Sequence, residues 1–152
     1  MTQIRSNLSP LAAEPTGAAR SRVKDPAFQA FLVLRSAFTL APILFGADKF
    51  MHLLVNWDRY LAPVIATMSP VSVHVTMDVV GAVEIVAGVV VALAPRFGAP
   101  LVSLWLLGIV VNLLLVPGYY DIALRDFGLM LGALTLGRLA SVYDPPLKLG
   151  RR

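Results

Sequence analysis

Arg35 and Glu84 each fall deep inside a long apolar stretch, where an ionisable residue is expensive. A charge at the centre of a membrane helix costs roughly 2.5–3.5 kcal/mol even on insertion scales, so such a residue needs a partner or has chemical work. A second set comprises Lys49, His74, Asp78, Asn112, Asp121 and Arg125. His74 can exchange protons near neutral pH, Asp78 follows it by one helical turn, and Lys49 or Arg125 can polarise an oxygen. Together they have the makings of a ligand or proton site. His74-x-x-x-Asp78 also puts two metal ligands on one helix face, but with only His52 as a second histidine the expectation is no metal site.

The elements that carry these residues follow from composition. Of 152 residues, 57% are apolar and 14% charged, and the mean hydropathy is +0.75. That balance lies outside ordinary soluble domains and implies an integral membrane protein. About 20 residues make one spanning helix, so four spans with short connections use most of the chain and leave no separate catalytic domain. The expected fold is an all-α, four-helix transmembrane bundle over residues 28–141. Its spans fall at about 28–54, 71–93, 99–116 and 121–141.

Asp25-Pro26 suits an N-cap and first helical turn for span one, and Pro42 should bend it. Ser69-Pro70, Pro95, Pro100, Pro117-Gly118 and Pro145-Pro146 punctuate the rest. The basic polar stretch 1–27 has no periodicity that would bury it and reads as a flexible tail, with a second short basic tail at 142–152. A signal peptide is disfavoured, because the polar lead and the apolar run are both too long and no small-residue cleavage site follows.

Cysteine is absent, which removes disulfides, thiol relays, thiolate nucleophiles and cysteine-ligated iron–sulfur centres. The pI near 9.9 does not imply nucleic acid, because the basic residues gather at the termini beside apolar spans. Arg5, Arg20, Arg22 and Lys24 precede the first span; Arg138 at the end of the last span is joined by Lys148, Arg151 and Arg152 beyond it, and Arg96 lies in the loop between spans two and three. By the positive-inside rule both termini are expected in the cytoplasm. Trp57, Tyr60, Tyr119 and Tyr120 then form an aromatic belt at the opposite interface.

Helical spacing places Arg35, Pro42, Gly46 and Lys49 on one stripe, and His74, Asp78, Gly81, Glu84 and Gly88 on another. Asp121, Arg125, Gly128 and Gly132 share a face of span four; Trp105, Gly108 and Asn112 share one of span three. Asp48 and Asp126 fall off these stripes, towards an interface or solvent. Arg35 and Glu84 lie about two turns from the cytoplasmic ends of their spans, so the expectation is a structural ion pair between them. Gly128-x-x-x-Gly132, and more loosely Gly88-x-x-x-Ala92, read as close-packing motifs used inside the monomer.

The run Leu34-Arg35 through Gly46-Ala47-Asp48-Lys49-Phe50, with Gly81-Ala82-Val83-Glu84 and Gly88, resembles the DoxX-like family of four-helix inner-membrane proteins. The likeness spans roughly 31–139. It implies a bacterial inner-membrane location and a place in redox-linked membrane oxidoreductase complexes, with weight on Arg35, Gly46, Lys49, Gly81 and Glu84. It implies no cofactor motif.

Three functions follow as expectations. The first is a non-catalytic membrane subunit or scaffold that docks other subunits of a redox complex and has no redox centre of its own. The second is quinone binding in an outer polar cavity, with His74 and Asp78 handling protons. The third is transport of a small anion or proton. The absence of any haem, flavin or metal constellation weighs against an independent enzyme, and the lack of an inverted repeat against an independent transporter. A homo-oligomer stays open.

Overall fold

The computed structural model describes residues 23–144; the expected tails fall outside them except for their inner ends. Among the described residues there are helices and no strands. Helix α1 runs Pro26–Met51. Asp25 caps it by accepting from the Ala27 N–H at 3.0 Å, and Pro26 at the first position gives up a donor that would have had no helical partner. The helix continues through Pro42, whose ring removes the N–H that the Phe38 carbonyl would accept. It ends at His52, whose left-handed backbone (φ 53°) is the one positive φ outside glycine among the described residues.

The connection that follows contains a 3-10 turn, Trp57–Tyr60, and a short helix α2, Pro63–Met68. Neither has a hydrophobic stripe long enough to show in the sequence. Helix α3 spans Val73–Leu93, with the Ser72 hydroxyl capping the Val75 N–H. Helix α4 spans Pro95–Leu114 and is joined to α3 through Ala94 alone. Arg96 and Phe97, expected in a loop, form its first turn, because Pro95 can open a helix. Helix α5 spans Tyr120–Tyr143.

Three of these helices, α1, α3 and α4, are long and apolar enough to cross a membrane. Helix α5 falls short by that measure; Asp121, Arg125, Asp126 and Arg138 break its apolar run. The outward faces carry large exposed side chains such as Leu44, Val86, Leu104 and Leu124. A surface of this kind is stable against lipid and unstable against water. The chain is a multi-pass membrane protein.

Helices α1 and α3 form one close seam and α4 and α5 another; α3–α4 and α1–α5 contacts join the two pairs. In the first seam the backbones nearly touch. A Cβ built on Gly46 would lie 2.5 Å from the Gly81 carbonyl oxygen, and one on Gly88 would lie 2.7 Å from the Thr39 carbonyl oxygen. Membrane helices gain little from apolar burial against one another, so this close contact supplies dispersion energy in its place. The expected motif in α5 packs closely at one glycine and not the other: a Cβ on Gly132 would lie 3.2 Å from the Phe38 ring of α1, whereas one on Gly128 meets nothing within 4 Å.

The apolar core sits towards the end of the bundle that holds both described termini. Phe31, Phe38, Val91, Val102, Ala133 and Leu136 meet there. Phe28, Phe31 and Tyr143 close that end with ring contacts of 5.4–6.2 Å, and the Tyr143 hydroxyl donates to Asp25.

Candidate functional site

The polar residues of the interior gather in the other half of the bundle. Lys49 Nζ lies 2.6 Å from Glu84 Oε2, and both side chains are almost wholly buried, at 4% and 9% exposure. The same ammonium sits 3.9 Å from the centre of the Trp57 ring. The Trp57 indole N–H in turn donates to Asp48 Oδ2 at 2.7 Å. The buried indole N–H of Trp105 closes no well-formed hydrogen bond, and Asp126 on α5 is buried as well, at 7% exposure.

The expected Arg35–Glu84 pair does not form. Arg35 instead donates to the Ala92 carbonyl at 2.6 Å, one of the carbonyls that the end of α3 leaves without a helical partner. The reason lies in register. Gly46 faces Gly81, Thr39 faces Gly88, and Arg35 faces Ala92. The end of α3 therefore lies beside Arg35, and roughly the first two turns of α1 project past it. Counting turns from the two helix ends makes the depths look equal when they are not.

Side-chain direction supplies the pair that does form. Helical side chains lean towards their own N-terminus. In antiparallel neighbours Lys49 and Glu84 therefore lean towards each other across the Gly46–Gly81 contact, whereas Arg35 leans away from Glu84. The two glycines let the backbones approach closely enough for the ion pair to bridge them.

Asp48, expected at an interface or in solvent, is 3% exposed and organises the loop after α1. Its Oδ1 accepts from the Leu53 and Leu54 N–H groups, each at 3.0 Å, while Oδ2 takes the Trp57 indole. Asn112 has a similar role for the next part of the loop. Its amide donates to the Tyr60 carbonyl at 2.6 Å, and its oxygen accepts from the Ala62 N–H at 2.9 Å. Asn112 is thus a loop latch and not a group presented to a ligand.

The expected outer site is divided. Asp121 and Arg125 face outwards on α5, whose inner face instead carries Ala123, Asp126, Ala133, Leu136 and Ala140. Arg125 reaches its neighbour Asp126 at 3.1 Å, with the guanidinium side chain 66% exposed. Lys49 belongs to the Glu84 pair. Only His74 and Asp78 remain together, at 4.0 Å, and they lie on the surface. Their neighbours are His52, whose ring stacks on His74 at 5.0 Å between centroids, and Asp58, whose Oδ2 lies 3.6 Å from His74 Nδ1.

Two open hollows lie elsewhere. One, of about 300 Å³, is an apolar groove between α4 and α5 lined by Val110, Leu114, Tyr120, Ala123, Leu124 and Phe127. The other, of about 270 Å³, is bordered by Arg35, Ser36, Thr39, Leu40 and Ala92. Both are open to the outside, and neither includes the residues expected to form an outer polar cavity.

The chain matches no family model, no curated protein and no solved structure. The site must therefore be read from its own geometry. Its aromatic groups add to that reading: Trp57, Tyr60 and Tyr119 run in a chain of ring contacts at 5.6 and 4.9 Å. Trp57 packs inwards over Lys49, while Tyr120 is exposed, so the expected belt is partly interior. Sequence reasoning missed Asp48, Asp126 and Trp57 as parts of the polar interior. The available signal was the Asp48-Lys49 dipeptide beside an indole nine residues on from Asp48.

Proposed function

We propose that the protein is a small four-span membrane subunit that holds or docks other subunits of a redox-linked complex and has no redox centre of its own. The observation that carries this reading is the commitment of Lys49, Glu84, Asp48 and Asn112 to partners within the chain. Lys49 is taken by Glu84 and Asp48 by the loop and Trp57; Asn112 is likewise committed, to the loop backbone. Groups committed in this way specify a fold, and binding a substrate would first require breaking them.

In this reading α5 is the fourth span. Its outward charges, Asp121, Arg125 and Arg138, sit near its ends, where they reach the interface or a partner subunit. Both termini face the cytoplasm of a bacterial inner membrane, in keeping with the basic residues of the tails. The redox association rests on the DoxX-like run around Gly46 to Phe50 and Gly81 to Glu84. Quinone binding is the second reading; the apolar groove beside Tyr120 favours it, since an apolar ring can lie there with a phenol in reach.

Gentle-detergent purification from native membranes, with mass spectrometry of proteins and extracted lipids, tests both. The subunit reading expects an oxidoreductase polypeptide in fixed ratio to this chain. A chain that purifies alone, or with stoichiometric quinone and no polypeptide partner, rejects it. Liposomes containing a pH dye test the transport alternative, which requires flux above that of empty vesicles.

A further inference from the structure

His52, Asp58 and His74 bring one ligand atom each to within 4.8 Å of one another. They come from three separate segments: the left-handed residue that ends α1, the 3-10 turn, and the first turn of α3. Two polar atoms at this point are buried and have no hydrogen-bond partner, His52 Nε2 and Asp58 Oδ1. An orphaned imidazole nitrogen and an orphaned carboxylate oxygen are each costly when withheld from water. A cation between them would satisfy both.

From this geometry we propose that His52, Asp58 and His74 form a Zn²⁺ site at the end of the bundle, with Asp78 as the carboxylate that orients His74. Zn²⁺ takes imidazole and carboxylate ligands at about 2.0–2.2 Å, which puts neighbouring ligand atoms roughly 3.3 Å apart. His74 Nδ1 and Asp58 Oδ2 are already 3.6 Å apart. His52 closes the set when its ring turns out of its stack on His74, its ligand atom lying within 4.8 Å of the other two. The other nitrogen of His74, Nε2, faces Asp78 Oδ2 at 4.0 Å. Closing that gap to hydrogen-bond distance on metal binding lets Nε2–H donate to the carboxylate, which fixes the tautomer and leaves Nδ1 free as the ligand. Three protein ligands leave a fourth position for water.

The left-handed backbone at His52 fits this role. That conformation normally falls to Gly or Asn at a helix end, and here it belongs to a residue whose ring stacks on His74, with an interplanar angle of 23°. The imidazole–carboxylate set selects a borderline metal such as Zn²⁺ over Mg²⁺, which prefers an all-oxygen shell. The site is independent of the redox-subunit reading, since none of its residues belongs to the Lys49–Glu84 network.

The test uses the full chain, purified in detergent without a polyhistidine tag, stripped with a chelator and titrated with Zn²⁺ alone against a chromophoric competitor. One Zn²⁺ per chain is expected, undisturbed by excess Mg²⁺. His74→Ala should weaken it at least tenfold, and Asp78→Asn about tenfold. The His74 side chain is 57% exposed, so its removal leaves the packing intact; equal tryptophan emission and elution would confirm that. Asp58→Asn provides a second variant if His52→Ala does not fold. Absence of Zn²⁺ binding, or binding equally strong in His74→Ala and Asp58→Asn, overturns the proposal.

Discussion

Lys49 and Glu84 meet at 2.6 Å beside a point where the backbones of α1 and α3 come close enough to exclude any side chain at Gly46 and Gly81. The ion pair and the glycine contact form one arrangement. The glycines bring the helices together, and the charges fix which turn of one helix faces which turn of the other. Such a pair sets register more than it adds net stability, because both ions lose their hydration on entering the bundle.

Removing one member of this pair should therefore cost far more than removing both. Glu84→Leu or Lys49→Met alone leaves a buried charge unpaired, with an expected loss of about 3–5 kcal/mol, whereas the double variant should recover most of it. Thermal unfolding in detergent gives the comparison. A double variant no more stable than the worse single variant would show that the pair is not the coupled unit described here.

The glycine seam predicts a contrast between positions of the same residue type. Gly46→Val and Gly81→Val place carbon against backbone oxygen and should destabilise the bundle by at least about 1–3 kcal/mol or prevent assembly. Gly128→Ala faces open space and should change stability by less than about 1 kcal/mol, in the stabilising direction if helix propensity dominates. Size-exclusion profiles and melting temperatures of the three variants distinguish these outcomes.

Asp48 predicts the behaviour of the loop. In Asp48→Ala two backbone N–H groups and the Trp57 indole lose their acceptor, at a cost on the order of 1.5–3 kcal/mol for each bond to the charged group. Limited proteolysis should cut between His52 and Tyr60 faster than in the unaltered chain, and Trp57 emission should shift to the red. A cleavage rate and emission that stay the same would mean that the loop is held by other contacts.

Asp25 gives a pH dependence at the end of the bundle that holds the described termini. The Tyr143 hydroxyl, and then the Ala27 N–H, hold its carboxyl below the ordinary carboxylate value. A depressed folded-state pKa stabilises the protein above the unfolded value, and this contribution is lost as pH falls through the folded one. Tyr143→Phe should thus lower the melting temperature near neutral pH, and the gap should shrink in acid, below about pH 4. A gap independent of pH would show that the loss does not run through the Asp25 carboxylate.

Much of the helical frame was legible in the sequence, because long apolar runs bounded by Pro26, Pro95 and Pro117 leave little choice of element. The inner stripes of α1 and α3 were legible in part: Gly46, Lys49, Gly81, Glu84 and Gly88 are buried at helical spacing, whereas His74 on the same expected stripe is exposed and Asp48, expected off it, is buried. The partner of Glu84 was not. It depends on how far α1 slides along α3, and only contact between their backbones sets that. The inner face of α5 was placed about one residue out, on Arg125 instead of Asp126, because the charges Asp121, Arg125, Asp126 and Arg138 are spread round the helix and leave no amphipathic contrast to orient it. The loop latches of Asp48 and Asn112 were hidden for another reason: each depends on backbone groups distant in sequence or irregular in conformation.

The contact between Asp25 and Tyr143 ties the opening of α1 to the close of α5, so the first and last described residues meet the same membrane face. Lys24 and Arg138 therefore act on one side together and cannot favour opposite orientations. Neutralising either alone should leave the other to act on that face.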